Sequence, residues 1–353
     1  NDGNDLFNIN ATQSGALSGG AGNDDFQLGG VVTGTVQGGA GSDELIAAAG
    51  VNTAFDLSAQ NAGAAVGGGQ TVDFTSIENL TGNTGNDQFV LDFNLGDAGE
   101  AIAGVVTGNA GNDTFAIAGN QAGVFDGGEG SDTFTLAANA VLSNAGIAVD
   151  GGDDATGDDS DTLNVAANAA ALTVSLTSSV PNEGFTGTET TVFTGGAGAG
   201  FAAIDDVVGS ADTLQGRNVA STWTQNTYSD GTESLTFSGI TTAAGGTAAD
   251  TLLGNDAATD VADDVFTVAA ASVTLNTQAF PGTETLSGRG GADKFNLNAS
   301  FGGAINGDAG SDDFQPGAGV TAANVQGGAG SDEVIAAAGG SATTFTLTAA
   351  DQG

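Results

Sequence analysis

The chain has 353 residues, of which 43 are acidic and only three are basic, so its formal net charge at pH 7 is −40. It has no cysteine and no histidine, which excludes a disulfide framework and the usual transition-metal ligands and leaves oxygen as the only ligand chemistry. The scarcity of Lys and Arg argues against a nucleic-acid partner, and no apolar run approaches the ~18 residues that a membrane-spanning helix needs.

A glycine-rich acidic chain is often disordered. Here, however, 39% of the residues are hydrophobic and the chain carries 19 phenylalanines, which recur at a fixed place in a repeat and therefore indicate a folded core. Because self-repulsion on this scale needs counter-ions, we expect the fold to depend on bound cations.

One short motif recurs along the whole chain, starting with GGAGNDDF at residues 19–26. In each copy glycines allow a tight turn at positive φ, an aspartate follows the last glycine by two residues, and a large apolar residue follows that aspartate by two. The further copies are GGAGSDEL (38–45), TGNTGNDQF (81–89), TGNAGNDTF (107–115), DGGEGSDTF (126–134), SGRGGADKF (287–295), NGDAGSDDF (306–314) and QGGAGSDEV (326–334).

The spacing of the motif predicts the secondary structure. Asp5, Asp24 and Asp43 are 19 residues apart, and the strand-like runs DDFQL and VVTGTVQ lie between the loops, separated by a glycine turn. No segment shows a sustained 3.6-residue period of apolar residues. We therefore predict an all-β fold, a parallel β-solenoid (β-roll or β-helix), in which each repeat reads strand, plain turn, strand and aspartate loop.

Longer segments interrupt the short repeats, beginning near residues 54, 185, 235 and 280. In the first of them, Phe74, Ile77 and Leu80 are predicted to face the core. Glu78 is predicted to be a solvated edge charge that discourages misassociation. Glu189 and Glu284 stand in the equivalent place in later segments.

A second, much longer period lies above the first. Residues 3–27 match residues 291–315 at 15 of 25 positions, and QGGAGSDELIAAAG from residue 37 matches QGGAGSDEVIAAAG from residue 326 at 13 of 14. Residues 289–353 therefore repeat residues 1–65 after about 288 residues. This period predicts one continuous β-solenoid over 1–353, taken from a tandem array or polymer of the same unit.

The loop G-G-x-G-x-D-x-(apolar)-x resembles the calcium-binding nonapeptide of the RTX (repeats-in-toxin, hemolysin-type) proteins, of the giant bacterial surface or filament kind. The resemblance implies Ca²⁺ held between neighbouring repeats of a parallel β-roll by aspartate carboxylates and glycine-loop carbonyls. The matching aspartates are Asp5, Asp24, Asp43, Asp87, Asp113, Asp132, Asp293, Asp312 and Asp332. The matching loop glycines are Gly3, Gly22, Gly41, Gly85, Gly111, Gly130, Gly291, Gly310 and Gly330. The inward apolar partners are Phe7, Phe26, Leu45, Phe89, Phe115, Phe134, Phe295, Phe314 and Val334.

The chain also departs from the RTX pattern. RTX nonapeptides usually follow one another directly and line both edges of the roll, whereas here the motif occurs at most once per 19 residues, which predicts calcium loops mainly along one edge. Four aspartates lack the glycine two residues before them and are expected to bind calcium weakly or not at all, as is GGAGAGF at 195–201, which has Gly200 in place of the aspartate. These four are Asp161, Asp212, Asp250 and Asp264. Aspartate turns without a bound ion remain the alternative.

These features favour a structural role. The first hypothesis is a secreted bacterial protein, extracellular or on the cell surface, that self-associates into a calcium-stiffened filament, surface layer or stalk and attaches to the surface outside this segment. The second is a repeat spacer of an RTX-like adhesin or toxin whose active domain lies elsewhere. An enzyme is disfavoured, because no His exists to act as a base and Arg217, Arg289 and Lys294 are the only basic groups. Ice binding through Thr346 and Thr348 is a weaker variant.

Overall fold

The computed structural model describes residues 2–93, 104–152, 159–254 and 263–336. Thr346, Thr348 and the copy of the long period beyond residue 336 lie outside the described residues. The chain divides into two compact units, Asn1–Ser210 and Ala211–Gly353, here called the N-terminal and C-terminal units. The described residues contain no helix, so the prediction of an all-β fold is confirmed for them.

The strands are short and follow one another closely. The first 21 are β1 (Leu6–Ile9), β2 (Leu17–Ala21), β3 (Asp25–Leu28), β4 (Thr35–Ala40), β5 (Glu44–Ile46), β6 (Thr53–Ala59), β7 (Ala62–Gly67), β8 (Gln70–Thr75), β9 (Asn79–Thr84), β10 (Gln88–Leu91), β11 (Val105–Ala110), β12 (Thr114–Ile117), β13 (Asn120–Gln121), β14 (Val124–Glu129), β15 (Thr133–Leu136), β16 (Val141–Leu142), β17 (Ile147–Asp150), β18 (Thr162–Asn164), β19 (Thr173–Val180), β20 (Gly184–Thr188) and β21 (Gly200–Ile204). The others are β22 (Asp206–Gln215), β23 (Thr222–Trp223), β24 (Thr227–Ser229), β25 (Ser234–Ala244), β26 (Thr251–Leu253), β27 (Val265–Val268), β28 (Val273–Leu275), β29 (Gln278–Phe280), β30 (Thr285–Ser287), β31 (Lys294–Leu297), β32 (Phe301–Ala309), β33 (Asp313–Pro316), β34 (Ala322–Ala329) and β35 (Glu333–Val334).

Equivalent strands of successive repeats pair in parallel in the N-terminal unit. In the first repeats the register is 19 residues, as in Leu6 with Asp25 and Asp25 with Glu44. The pairing produces three columns of parallel strands, which we call early, central and late. The early column is β2, β4 and β8; the central column is β1, β3, β5, β9, β11, β14, β17 and β21; the late column is β6, β10, β12, β15, β18 and the start of β22.

The C-terminal unit has the same kind of pairing. Its central column is β23, β26, β30, β32 and β34, and its late column is β27, β31, β33 and β35, all parallel within the column. Parallel strands buried by their neighbours require apolar side chains that repeat at the same register position, which the Phe, Leu or Val at the end of each motif supplies.

Stacked aromatic rings form the core beneath the loops. Phe89 and Phe115 lie 4.9 Å apart between ring centroids, and Phe115 and Phe134 lie 4.6 Å apart. Phe295 and Phe314 stack in the same way at 5.0 Å. The predicted inward partners are confirmed as buried, with two exceptions at the ends of the described chain: Phe7 is half-buried, and Val334 on β35 is 48% exposed.

Antiparallel meanders replace a single strand in the longer segments. β6, β7 and β8 pair antiparallel in sequence, so that β6 lies in the late column and β8 in the early column. β27, β28 and β29 repeat this arrangement in the C-terminal unit. Phe74, Ile77 and Leu80 are at most 1% exposed, which confirms that they face the core.

Candidate metal site: the aspartate loops

The glycine two residues before each aspartate has the conformation that the motif predicts. Its φ lies between 115° and 147° in the nine matching loops, a region that residues with a side chain rarely adopt. The loops of successive repeats also lie very close together. A Cβ placed on Gly41 would lie 2.0 Å from the carbonyl oxygen of Gly22 in the preceding repeat. Backbone conformation and close approach therefore both require glycine at this position.

The aspartates form hydrogen-bonded rows that connect the repeats. The backbone N–H of Asp5 donates to Oδ1 of Asp24 at 2.8 Å, and the N–H of Asp24 donates to Oδ1 of Asp43 at 2.8 Å. Asp87, Asp113, Asp132 and Asp161 form a second row with distances of 2.6 to 2.8 Å. In the C-terminal unit Asp264, Asp293, Asp312 and Asp332 form a third row with distances of 2.9 to 3.1 Å. Each aspartate after the first in its row thus accepts a hydrogen bond from the repeat before it.

The prediction that the loops lie mainly along one edge is wrong for the N-terminal unit. Asp24 and Asp43 connect the early column to the central column, whereas Asp87 and Asp113 connect the central column to the late column. Because the strands of the central column are parallel, the two rows lie at its opposite ends. The reason is the β6–β7–β8 meander, which lengthens one repeat, so that the next aspartate loop follows a central strand where earlier loops preceded one.

The prediction for the glutamates is also wrong for two of the three. Glu78 and Glu189 are each 3% exposed and accept hydrogen bonds, whereas Glu284 is exposed as predicted. Glu78 accepts the backbone N–H of Asp43 at 2.9 Å, but Glu189 accepts the N–H groups of Thr191 and Val192 in its own turn. Glu78 and Glu189 are therefore not equivalent.

The second carboxylate oxygen of the intact loops is buried and has no hydrogen bond. This holds for Oδ2 of eight of the nine matching aspartates: Asp5, Asp24, Asp43, Asp87, Asp113, Asp132, Asp293 and Asp312. The ninth, Asp332, is exposed in the last described repeat. A buried carboxylate oxygen with no donor is costly, so these oxygens mark the places where a cation, a proton or a bound water would be stabilising.

A second glycine of the motif, five residues before the aspartate, makes room for that oxygen. A Cβ placed on Gly108 would lie 2.1 Å from Oδ2 of Asp113 and 2.5 Å from the carbonyl oxygen of Gly127 in the next repeat. We call this set the cradle glycines: Gly19, Gly38, Gly82, Gly108, Gly127, Gly288, Gly307 and Gly327. Sequence reasoning assigned them no role, although their constant distance from the aspartate was a usable signal.

Sequence reasoning also assigned no role to the residue just before each aspartate. Oδ1 of Asn4 accepts the N–H of Asn23 at 2.8 Å, and Oδ1 of Asn23 accepts the N–H of Ser42 at 3.1 Å. These exposed side chains accept from the following repeat, whereas the buried aspartates accept from the preceding one. Loops with Asn or Ser at this position are therefore held to both neighbours, and the recurrence of these residues carries the signal, whereas the loop of Asp293 has Ala292 there.

The four aspartates predicted to be weak are buried as well, at 0 to 3% exposed. None of them has a buried oxygen without a hydrogen bond. At Asp250, Oδ2 accepts the N–H of Gly246 at 2.9 Å, and Oδ1 accepts the hydroxyl and the N–H of Ser221. Asp161 lies in the second row, Asp264 begins the third, and Asp212 lies within β22. That these loops bind calcium weakly stays a prediction.

Burial makes the ionised carboxylates unfavourable. It raises the pKa of Asp87 and Asp113 to about 6 and that of Asp293 to about 7. The pKa of Asp132 rises to about 9 and that of Asp161 to about 8, because the negative charges of neighbouring aspartates add to the effect of burial. A nearby positive charge would favour the ionised form of these carboxylates.

The residues of the intact loops fit calcium, the ion that the RTX resemblance implies. Seven of the nine loops place a buried carboxylate oxygen without a hydrogen bond beside a backbone carbonyl oxygen of the next repeat, and calcium takes oxygen ligands of both kinds. These seven are the loops of Asp24, Asp43, Asp87, Asp113, Asp132, Asp293 and Asp312. Within the residues that the structure describes, no three His, Cys, Asp or Glu side chains gather into a metal-binding group. Most ligands would therefore be backbone carbonyls and water.

No model of a known protein family matches the chain, and no curated protein matches it. The described residues also include no helix capable of crossing a lipid bilayer.

Proposed function

We propose that the chain is a structural protein, a calcium-stabilised parallel β-solenoid that builds an extracellular filament, surface layer or stalk by repetition of its units. The observation that carries the proposal is the series of buried Oδ2 atoms without hydrogen bonds, one in each of eight of the nine matching loops. Their regular recurrence favours a repeated ligand over an isolated site.

The aspartate and the glycines of each loop have different roles in holding an ion. In these loops, apart from that of Asp5, Oδ1 of the aspartate accepts a hydrogen bond from the preceding repeat and Oδ2 is left to be a ligand. The cradle glycine leaves open the space beside Oδ2, where the carbonyl oxygen of the next repeat also lies. Bound calcium would supply positive charge that offsets the repulsion between successive carboxylates.

The net charge and the long period support an extended assembly. Nine ions would change the net charge of −40 to about −22, which still favours solubility over collapse. The near-identity of residues 37–50 and 326–339 is typical of a unit that stacks on further copies of itself. Calcium is available outside cells at the concentrations that weak oxygen sites need.

The proposal is tested by circular dichroism and electron microscopy of the purified chain with calcium, with magnesium at equal ionic strength, and with chelator. We expect strong β signal and extended particles in millimolar calcium, and loss of both in chelator and in magnesium, because magnesium demands a tighter octahedral site. An unchanged β signal in chelator at pH 8 would contradict the proposed dependence of folding on calcium. Compact single particles in calcium would count against the filament.

A further inference from the structure

Three carboxylates accept a hydrogen bond from an aspartate in the same way, two of them after the last aspartate of a row and one after the isolated Asp250. Each occupies the position of the next aspartate, and its side chain accepts the backbone N–H of the aspartate in the preceding repeat. The pairs are Asp43 with Glu78 at 2.9 Å, Asp161 with Asp205 at 3.2 Å and Asp250 with Glu284 at 2.8 Å. All three occur where a longer segment returns to the parallel strands.

The backbone at these positions differs from that of an ordinary repeat. Ordinarily the aspartate N–H donates forward to the next aspartate, and only the following residue donates back, as Asp25 does to the carbonyl oxygen of Asp5 at 2.9 Å. At Glu78, both Glu78 and Asn79 donate back to the carbonyl oxygen of Asp43, at 3.1 and 2.9 Å.

The other two positions repeat this double donation. Asp205 and Asp206 both donate to the carbonyl oxygen of Asp161 at 2.9 Å, and Glu284 and Thr285 both donate to that of Asp250 at 3.0 Å. The N–H that would bond to a further carboxylate is thus turned backward. The backbone therefore ends the row, because this N–H cannot also donate to a carboxylate in the following repeat.

The Glu78 carboxylate has a hydrogen bond on each oxygen. Oε2 accepts the N–H of Asp43, and Oε1 accepts Nδ2 of Asn61 at 2.8 Å. Glu78 is as buried as the row aspartates, at 3% exposed, but Oδ2 of those aspartates has no donor. Two donors stabilise the Glu78 carboxylate in the place where a row aspartate leaves Oδ2 without a protein donor.

We propose that Glu78, Asp205 and Glu284 are row terminators, positioning residues that join two repeats through hydrogen bonds alone and bind no ion. Glu78 and Asp205 would end the first and second rows of aspartates, whereas Glu284 follows Asp250, which belongs to no row. Each terminator is followed by an apolar residue at the second position and a glycine at the fourth, as in Glu78, Leu80 and Gly82. The statement about ions rests on the proposed function, whereas the statement about the junction does not.

The test compares three variants of the full chain in millimolar calcium, by counting bound ions and measuring the unfolding temperature. Glu78→Gln should keep the ion count and lower the unfolding temperature by about 5 °C, because its amide places a donor against another donor. The double variant Asn61→Asp with Glu78→Gln exchanges donor and acceptor between the two side chains and should restore the temperature. Asp113→Asn, the matched control in an intact loop, should bind one ion fewer.

Two results would overturn the inference: one ion fewer in the double variant, which would make Glu78 an ion ligand, or an unchanged unfolding temperature in Glu78→Gln, which would remove it from the junction. If the single variant does not fold, the double variant decides. A wild-type chain that binds no calcium would end the calcium proposal only, since the unfolding temperatures would still decide the role of Glu78.

Discussion

The loops at Asp132 and Asp250 bury the same side chain to the same extent, 0% exposed, but treat its second oxygen differently. At Asp250 the N–H of Gly246 turns inward and donates to Oδ2 at 2.9 Å. At Asp132 the equivalent N–H, that of Gly128, donates to the carbonyl oxygen of Gly151 in the next repeat at 3.0 Å, and Oδ2 has no donor.

This comparison separates two roles that one aspartate can have in the motif. Either loop can use its aspartate as a hydrogen-bond acceptor between repeats, which needs only burial and an N–H in line. Only the loop that also has a glycine two residues before its aspartate, as that of Asp132 does, leaves a carboxylate oxygen for an ion. In that loop the backbone N–H of Gly128 donates to the next repeat and not to Oδ2. We therefore expect substitutions in the two kinds of loop to have opposite effects.

The largest expected effect is that of pH on the chain in chelator. Folding raises the pKa values of Asp87 and Asp113 to about 6, of Asp293 to about 7 and of Asp132 to about 9, so the metal-free fold takes up protons. This contribution to stability is complete below about pH 4 and is lost as pH rises through 6 to 9. Circular dichroism in chelator should show β structure at acid pH that disappears toward pH 9.

The same titration in saturating calcium is the control for the pH effect. We expect the β signal to persist to pH 9, since the ion then replaces the protons. A chelated chain that is most stable at pH 8 would contradict the account of the buried carboxylates.

The next largest effect is expected for a cradle glycine. Gly108→Ala places a methyl group 2.1 Å from Oδ2 of Asp113 and 2.5 Å from the carbonyl oxygen of Gly127, and should lower the free energy of unfolding by about 3 kcal/mol in calcium. Gly302→Ala meets no atom within 4 Å and should change it by less than about 0.5 kcal/mol. Equal effects of the two substitutions in denaturant titrations would show that the cradle is not closely packed.

Substitution of the aspartates themselves should separate the two roles. Asp113→Asn should bind one ion fewer yet retain more β signal than the wild type by circular dichroism in chelator at pH 8, because a neutral amide replaces a buried charge. Asp250→Asn should keep the ion count and lose about 1 to 3 kcal/mol, since its amide faces the N–H of Gly246. Ion counting applies to both variants, and denaturant titration in calcium measures the stability of Asp250→Asn. Loss of an ion in Asp250→Asn would show that the two kinds of loop do not differ in ion binding.

The smallest effect is expected in the exposed row. Asn112→Ala removes the acceptor of the Ser131 N–H, which lies 3.3 Å from Oδ1, and should cost about 0.5 kcal/mol. Asn8→Ala, on the exposed face of β1, is the matched control. No difference between the two variants in thermal unfolding would show that water replaces the Asn112 bond without loss.

The sequence predicted the strands, the positive φ of the loop glycines and the inward phenylalanines, because each depends on local spacing alone. It did not predict that Asp43 and Asp87 lie at opposite ends of the central column. The motif has the same sequence whether it precedes or follows a central strand. It also placed the Glu78 side chain in solvent. The two groups that donate hydrogen bonds to its carboxylate, the N–H of Asp43 and Nδ2 of Asn61, are distant in sequence and could not be recognised from the motif.

The most direct measurement is a crystal structure grown in calcium, with anomalous difference density used to locate the ions. The account predicts ions beside Oδ2 in the covered intact loops, among them Asp24, Asp113 and Asp293, and none at Asp250 or Glu78. The same fold in millimolar calcium with no ion in the intact loops, or with ions equally at Asp250, would contradict it.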